Sequence, residues 1–322
     1  MLAVLALIAQ LAPVTDTVHG TVRTDTLWSQ SLGITKQYQV YLPPSYERDA
    51  GRRYPVAFYL HGVWGDETNW VTLGHIDRAM DSLIAAGGPE LILVMPDGDD
   101  AWYTTWNTLG NWSECRRDST RKEPAATYCV PWPHYDDYIA RDLVAHVDSN
   151  YRTLADSAYR GIAGLSMGGY GAVTLALRYP DVFSAAASHS GVVAPLFAGP
   201  EPFTPPPRYH RDLDSLRAQN PGVWRFVRDI FGADTIGWRA RDPVTMAQKR
   251  ARSELPIPPI FLDVGVDDPY LGGNRAFAYE LTALGAEVMY KEWPGRHDWT
   301  YWRGHVAESL SWLGTHLTPS PP

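Results

Sequence analysis

The chain has 322 residues, of which 45% are hydrophobic and 20% are charged, an ordinary globular composition. This composition excludes a disordered chain, a collagen-like fibre and a coiled coil. The formal charge of -8, with one short basic stretch at residues 249–252, argues against a nucleic-acid partner.

The N-terminus predicts export. Residues 2–9 are apolar but are far fewer than the roughly 20 residues needed to span a bilayer. They are typical of a signal-peptide core, although no Lys or Arg precedes Arg23. We therefore expect residues 1–20 to be a signal peptide or N-terminal extension, and the protein to be secreted or periplasmic. The alternative is an N-terminal strand or a frayed end. No later segment is apolar enough to predict a transmembrane helix.

Short apolar strands alternate with helical segments along the rest of the chain. Strands are predicted at 37–42, 55–60, 91–95, 159–163, 259–264 and 287–292, and helices at 136–148, 168–179, 273–284 and 301–316. This alternation predicts an α/β fold with a mostly parallel sheet covered by helices on both faces. We expect one domain over residues 21–317, followed by a flexible tail at 318–322.

Two segments interrupt the alternation, at residues 99–135 and 193–255. The first is rich in Trp and Tyr, and the second begins with a Pro-rich loop. Neither has the apolar periodicity of an independent core, so both are predicted to be insertions over one end of the sheet. The aromatic rings of the first could stack on a phenolic acid or a sugar, or could simply pack the insertions together.

The sequence contains two cysteines, Cys115 and Cys129, too few for a disulfide scaffold or a four-cysteine zinc site. They could form one bridge across a loop of about 15 residues, which would agree with export. No motif predicts a metal or nucleotide cofactor. Residues 97–100 are similar to part of a calcium loop but lack its distal Glu.

The strongest signal for chemistry is Gly164-Leu165-Ser166-Met167-Gly168, a G-x-S-x-G motif. A predicted strand ends just before it and a predicted helix begins just after it, so the serine lies in a very sharp turn. Glycine at the flanking positions lets strand and helix approach closely, and the helix N-terminus directs free N–H groups at the reacting atom. A glycine-rich turn without chemistry is the alternative, but the flanking elements favour Ser166 as a nucleophile.

A nucleophilic serine needs a base, and in this arrangement the histidine comes last in the chain. His297 lies in a loop just after a predicted strand, from which a side chain can reach the end of the sheet. His305, in the predicted last helix, is the second choice. We therefore expect His297 to be the base.

The acid should lie after the strand at 259–264. Three carboxylates are available there: Asp263 falls within the strand, while Asp267 and Asp268 follow it. The position of the strand favours the later two without deciding between them.

Two backbone N–H groups are expected to form an oxyanion hole. One belongs to Met167, the residue after the nucleophile, and the other to a loop after an early strand. Residues 60–64 fit that loop, so the N–H of Val63 is the second candidate. His61 could fix the shape of this loop or be an ordinary buried histidine.

The motifs together resemble the esterase D branch of the α/β-hydrolases, which includes S-formylglutathione hydrolases, feruloyl and acetyl-xylan esterases, enterochelin esterases and mycolyltransferases. The matching blocks are residues 41–46, 54–62, 94–98, 138–143, 151–153, 162–172, 179–183, 190–191, 265–268 with Asn274, and 297–299. The resemblance covers residues 25–315 and implies an α/β-hydrolase fold. It also implies Asp268, the last position of a G-x-x-D pattern, as the acid, and Val63 as the second oxyanion donor.

The resemblance implies an ester hydrolase without cofactors but does not define its substrate. Export and aromatic loops favour feruloyl, acetyl or other carbohydrate-linked esters. Trp64, Trp102, Tyr103 and Trp299 are the candidates for substrate contact. Three alternatives stay open: an acyltransferase with a sugar acceptor, a thioesterase similar to S-formylglutathione hydrolase, and a non-catalytic binding relative. The last typically lacks one member of the Ser-acid-His set, which this chain retains.

Overall fold

An eight-stranded sheet forms the centre of the computed structural model, which describes residues 19–105, 133–222 and 234–317 and a few positions between them. The strands are β1 Thr21–Ser29, β2 Ile34–Leu42, β3 Val56–Leu60, β4 Ile92–Pro96, β5 Arg160–Leu165, β6 Ala185–His189, β7 Ile260–Gly265 and β8 Val288–Trp293. Their spatial order is β1-β2-β4-β3-β5-β6-β7-β8. The pairs β1–β2 and β2–β4 are antiparallel, and all the others are parallel.

The middle of the sheet is buried on both faces. Every residue of β3, β4, β5, β6 and β7 is buried, as the continuous apolar runs predicted for a covered parallel sheet. The edge strand β1 is polar and mostly exposed, with Leu27 and Ser29 as its buried residues. Its sequence therefore lacks the pattern that identifies the other strands.

Helices cover both faces of the sheet. They are α1 Asn69–Thr72, α2 Ile76–Ala85, α3 (Tyr135–Asp137, Tyr138–Leu143 with π-helical geometry, and Val144–Asn150), α4 Met167–Arg178, α5 Leu213–Gln219, α6 Thr235–Arg239, α7 Pro243–Arg252, α8 Leu271–Ala283 and α9 Trp299–Leu317. Apolar residues of α3, α4, α7 and α8 form one core with the sheet, while those of α2 and α9 form a second core. This arrangement confirms the predicted α/β-hydrolase-like fold class.

The two predicted insertions are partly described. Residues 101–103 of the first are buried in the larger core, and the described part of the second contains α5, α6 and α7. Residues 1–18 of the predicted signal peptide, Cys115 and the tail at 318–322 lie outside the described residues. Cys129 is buried and is not a free thiol, and its pairing with Cys115 stays a prediction. Within the described residues, no helix has both the length and the hydropathy needed to cross a membrane.

Candidate active site

Ser166 lies in a sharp turn between β5 and α4. Its backbone has φ of 52° and ψ of -116°, a strained conformation for a residue other than glycine. The Ser166 N–H donates to the carbonyl of His189 at 3.0 Å, and its own carbonyl accepts from the N–H of Tyr170 and Val192. These backbone bonds fix the side chain at the carboxyl end of the sheet.

The flanking glycines are required by close backbone contacts. A Cβ atom on Gly164 would lie 2.4 Å from the carbonyl carbon of Gly168, and one on Gly168 would lie 2.3 Å from the carbonyl oxygen of Leu60. Because backbone atoms cannot move aside as a flexible side chain can, any larger residue would push α4 away from the sheet. The G-x-S-x-G pattern is therefore a packing requirement of the turn that presents Ser166.

The structure brings Ser166, His297 and Asp268 into one chain of hydrogen bonds. His297 Nε2 lies 2.9 Å from Ser166 Oγ, and His297 Nδ1 lies 2.9 Å from Asp268 Oδ2. The carboxylate can only accept, so Nδ1 carries the proton and Nε2 is left to accept from the serine hydroxyl. The Asp268 side chain is fully buried, and its other oxygen accepts from the Tyr270 N–H at 2.8 Å.

The other two candidate acids, Asp263 and Asp267, and Asp298 next to His297 in the chain lie in different surroundings. Asp263 is fully buried beside His189, with Oδ2 2.8 Å from His189 Nδ1. Asp267 is exposed, and Asp298 accepts from the N–H groups of Thr300 and Tyr301 in the first turn of α9. Among these four carboxylates, the described hydrogen bonds to His297 involve Asp268.

The other candidate base, His305, lies away from this chain of hydrogen bonds. Its ring stacks on Trp293 with centroids 5.2 Å apart and packs against Tyr301. Burial disfavours its charged form and lowers its pKa. His305 is therefore a packed histidine of α9.

Two aromatic residues beside His297 were missed by sequence reasoning. The rings of Tyr270 and Trp302 each lie edge-on to the imidazole, with centroids 5.0 Å away. Their positions, two residues after Asp268 and five after His297, are the only sequence signal that could have indicated them. They limit the orientations open to the imidazole ring and leave it about one-quarter exposed, with 23% of its side chain accessible.

The loop after β3 lies against Ser166, as expected for the second oxyanion donor. A Cβ atom on Gly62 would lie 3.4 Å from the Cβ of Ser166, which places the N–H of Val63 in the same region. Met167 is the first residue of α4, so its N–H has no acceptor within the helix. Both candidate donors therefore belong to segments that meet at Ser166.

The loop after β3 is held in place by hydrogen bonds to the loop after β4. The Gly98 N–H donates to His61 Nε2 at 2.9 Å, and His61 Nδ1 donates to the Gly62 carbonyl at 2.8 Å. Asp100 Oδ1 accepts from the Trp64 N–H at 2.6 Å. His61 therefore makes contacts that can fix the shape of this loop, which is one of the two roles that the sequence allowed.

Two of the four predicted substrate contacts are packed in the core. Trp102 is 5% exposed and lies edge-on to Tyr170, while Tyr103 is 1% exposed and donates its hydroxyl to the His61 carbonyl at 3.1 Å. Rings this deeply buried leave almost no surface for a substrate. For these two residues the structure favours the packing alternative.

The other two predicted contacts lie closer to solvent. Trp64 is 78% exposed, and its φ of 62° is held by the contact with Asp100. Trp299 is half-buried and lies edge-on to Trp70 and Trp302. Trp64 therefore presents the larger surface near the candidate site.

A second Ser-His-Asp set lies inside the protein. His189 Nε2 is 2.7 Å from Ser309 Oγ, and His189 Nδ1 is within 3.0 Å of both oxygens of Asp263. All three residues are fully buried, and Ser309 Oγ also contacts the Tyr59 hydroxyl at 3.0 Å. A substrate cannot reach this set, so it is a structural network under the sheet.

No metal site is formed by the described residues, which contain no group of three His, Cys, Asp or Glu side chains able to hold an ion. The groups gathered at the described site are Ser166, His297, Asp268 and the backbone donors around them. A strained serine, a tautomer-fixed imidazole and a buried carboxylate are the parts of a nucleophilic acyl-transfer site.

Comparison with known proteins identifies relatives over most of the chain. The Esterase family model, described as "Putative esterase", matches residues 29–313. An esterase of Mycobacterium tuberculosis is 32% identical over 289 residues, which cover 84% of this chain and 54% of that protein. The chain thus spans about half the length of that relative. An endo-1,4-beta-xylanase/feruloyl esterase of Xylanibacter ruminicola is 31% identical over 172 residues, covering 52% of this chain and 21% of that protein.

Solved structures show the same architecture. A ferulic acid esterase with 27% identity superposes with a TM-score of 0.63 over 94% of this chain and 100% of the other. An S-formylglutathione hydrolase from Agrobacterium tumefaciens, at 21% identity, gives a TM-score of 0.65 over 94% and 97% of the two chains. At that identity, the second likeness concerns the fold alone.

Proposed function

The chain belongs to the Esterase family, and from this premise we propose that it hydrolyses carboxylic esters through Ser166, His297 and Asp268. The observation that carries the proposal is the continuous chain of two 2.9 Å hydrogen bonds from Ser166 Oγ through His297 to Asp268. The names of the relatives, which are esterases and feruloyl esterases, support the same reaction class.

The proposed reaction has two halves. Ser166 Oγ attacks the ester carbonyl while His297 Nε2 takes its proton, and the N–H groups of Val63 and Met167 stabilise the resulting oxyanion. The imidazolium returns the proton to the departing alcohol and leaves an acyl-serine. A water molecule, deprotonated by the same imidazole, then hydrolyses that ester and regenerates Ser166. Asp268 holds the required tautomer and stabilises the imidazolium.

The test of this activity is hydrolysis of p-nitrophenyl acetate with labelling by a fluorophosphonate. Ser166→Ala should lower kcat by about six orders of magnitude and abolish labelling, because the three residues act as one unit. The matched control is Ser309→Ala, which removes the serine of the buried Ser-His-Asp set. Labelling that survives in Ser166→Ala would contradict the proposal.

We extend the proposal to feruloyl, acetyl or other carbohydrate-linked esters. The names of the xylanase/feruloyl esterase relative and the ferulic acid esterase support this substrate class. A panel of methyl ferulate, acetylated xylan and a triacyl siderophore would rank the classes by kcat/KM. Product analysis with and without a carbohydrate acceptor would distinguish hydrolysis from acyl transfer.

We also propose that the protein is exported, as residues 2–9 predict. Detection of the protein outside the cytoplasm would support this export.

A further inference from the structure

Three tryptophans connect the candidate base to the candidate oxyanion loop. Trp299 and Trp302 belong to the first turn of α9, just after His297 in the chain, and Trp70 belongs to α1, which follows the loop that contains Val63. Trp70 is 1% exposed, Trp302 is 6% exposed and Trp299 is half-buried. Each of these two loops is therefore followed by at least one indole ring that is packed inside the protein.

The three indoles form a continuous series of edge-on contacts that begins at the imidazole. The Trp302 ring lies at 87° to the His297 ring, with centroids 5.0 Å apart. Trp299 lies at 90° to Trp302 with centroids 5.3 Å apart, and Trp70 lies at 85° to Trp299 with centroids 5.5 Å apart. Because aromatic rings favour this perpendicular packing, each ring limits the orientation of the next one.

A glycine allows the two middle rings of the series to meet. A Cβ atom on Gly74 would lie 2.9 Å from Cε3 of Trp70 and 3.1 Å from Cζ3 of Trp299. Any side chain at this position would therefore push the two indoles apart. Since protein interiors are close-packed, a shift of one of these rings is passed on to its neighbour.

The last indole of the series holds the backbone beside the oxyanion site. Trp70 Nε1–H donates to the Leu60 carbonyl at 3.0 Å. The same carbonyl oxygen packs against Gly168, where an added Cβ atom would lie 2.3 Å from it. Leu60 is the last residue of β3, just before the loop with Val63, and Gly168 directly follows Met167. Trp70 therefore fixes the point at which the segments of both candidate oxyanion donors meet.

The two ends of this series must act together in the reaction. The base removes the serine proton at the moment when the oxyanion forms, so the imidazole and the backbone donors must both be in place in the same transition state. Resting on the esterase activity proposed above, we propose that Trp70, Trp299 and Trp302 are positioning residues that couple the orientation of the His297 imidazole to the position of the oxyanion donors. This role requires no contact between the indoles and the substrate.

A purely structural role would have a different signature. Loss of a buried indole would then lower the stability of the protein and leave kcat of the folded fraction unchanged. Trp312 is the matched control, because it lies in α9, is 7% exposed and belongs to the same core as Trp70 and Trp302. Its ring packs on Phe261 and His316, outside the series.

The first experiment measures p-nitrophenyl acetate hydrolysis by variants of the full chain. Trp70→Phe keeps a ring but removes the N–H, and it should lower kcat about tenfold or more with little change in KM, because displaced donors weaken transition-state binding. Its affinity for a trifluoromethyl ketone, which forms a tetrahedral oxyanion on Ser166, should fall by the same factor. Trp302→Leu should also lower kcat, and Trp302→Phe should restore most of the rate. Trp312→Phe should change neither kcat nor the inhibitor affinity.

The second experiment tests the coupling with two double-mutant cycles. If the indoles connect the two ends, Trp70→Phe combined with Trp302→Leu should lose less kcat than the product of the single losses, by about threefold or more. Asp100→Ala combined with Trp302→Leu is the control cycle, because Asp100 holds the same loop through the Trp64 N–H instead of through an indole. This control is needed because catalytic groups that act as a unit are themselves non-additive.

Three results would overturn the proposal. The first is an unchanged kcat, or a loss confined to KM, in Trp70→Phe under conditions where it is folded. The second is equal non-additivity in the two cycles. If Trp70→Phe does not fold, Trp299→Ala removes the half-buried middle ring, and an unchanged kcat in that variant is the third. If the unmodified protein hydrolysed no ester faster than Ser166→Ala does, the failure would belong to the proposed esterase function.

Discussion

At the scale of single residues, the choice among neighbouring carboxylates depends on burial and hydrogen bonding that the sequence does not display. Asp267 and Asp268 are adjacent, but Asp268 is 5% exposed and bonded to His297, while Asp267 is exposed. Periodicity alone left both open, and the family resemblance favoured Asp268. A buried carboxylate that accepts a hydrogen bond from the imidazole stabilises the charged imidazolium. The geometry therefore also supports Asp268 as the acid.

The carboxylate assignment predicts a large difference between two isosteric changes. Asp268→Asn should lower kcat about 10⁴-fold, since an amide can hold the wrong imidazole tautomer. Asp267→Asn is the matched control and should change kcat far less. Steady-state kinetics on one ester would decide, with circular dichroism to check folding. If Asp267→Asn were the crippling change, the acid would be misassigned by one residue.

The sequence indicated Ser166 and His297 because each lies in a short motif at the end of a strand, whereas the family resemblance chose Asp268 as the acid. The structure brings the three side chains together, and their catalytic roles stay predictions. The sequence could not predict which aromatic residues face the site. Trp102 and Tyr103 follow β4 as expected for a site border, yet tertiary packing buries both rings. Tyr270 and Trp302 contact His297, but neither lies in a pattern that distinguishes it from other aromatics.

At the scale of elements, the oxyanion loop depends on the loop after β4. Asp100 accepts a hydrogen bond at 2.6 Å from the N–H of Trp64, the residue that follows Val63. Asp100→Ala removes this acceptor and should lower kcat about tenfold or more with little change in KM, because a displaced donor weakens transition-state binding. Asp100→Asn keeps an acceptor oxygen and should restore most of the rate. A loss confined to KM in Asp100→Ala would contradict a role in positioning the donor.

The N-terminal cap of α7 predicts a pH-dependent stability. Asp242 accepts from the Thr245 N–H and hydroxyl through Oδ2, while its buried Oδ1 has no hydrogen-bond partner among the described residues. Burial raises the pKa of Asp242 to about 6, against the opposing effect of the Thr245 bonds. Because the pKa of Asp242 is higher in the folded than in the unfolded protein, this carboxyl contributes fully to folding stability only below its unfolded-state pKa. That contribution is lost as the pH rises through about 6.

Asp242→Asn should therefore gain stability relative to the unmodified protein as pH rises from 4 to 7.5. The gain corresponds to about 3 kcal/mol for a carboxyl whose pKa is raised by burial to about 6, and asparagine remains a good N-cap. Urea unfolding at several pH values measures it. A stability difference that stays constant with pH would show that Asp242 titrates at its ordinary value in the folded protein.

The elements that the sequence predicted best are those whose burial leaves a pattern. The predicted strand at 259–264 is β7 Ile260–Gly265, and the predicted helix at 168–179 is α4 Met167–Arg178, each displaced by one residue. The exposed strand β1 was not predicted, because its nine residues are held by pairing with β2 rather than by burial. A strand held by backbone hydrogen bonds to its neighbour does not need alternating apolar residues. A single sequence therefore does not reveal such a strand.

At the scale of the whole molecule, a buried charge cluster connects the antiparallel edge of the sheet to its parallel centre. Lys36 of β2 has 1% of its side chain exposed and donates to Asp97 and Asp99, which follow β4. Tyr135 at the start of α3 also donates to Asp99. The Asp97-Gly98-Asp99 segment includes the N–H that holds His61, so the cluster supports both the sheet and the candidate oxyanion loop.

Lys36→Met tests this connection, because it keeps the length and apolar volume of the side chain but removes its charge. The buried Asp99 and the half-buried Asp97 would then lose their cation, which should destabilise the folded protein by about 3–5 kcal/mol in urea unfolding. The control is Arg23→Met on β1, which removes an exposed ion pair with Glu47 and should cost no more than about 1 kcal/mol. At temperatures where Lys36→Met remains folded, its kcat should also fall, since displacement of Gly98 would move His61 and the loop that it holds. Equal unfolding free energies for the two variants would show that the cluster is solvated in solution and does not connect the two parts of the sheet.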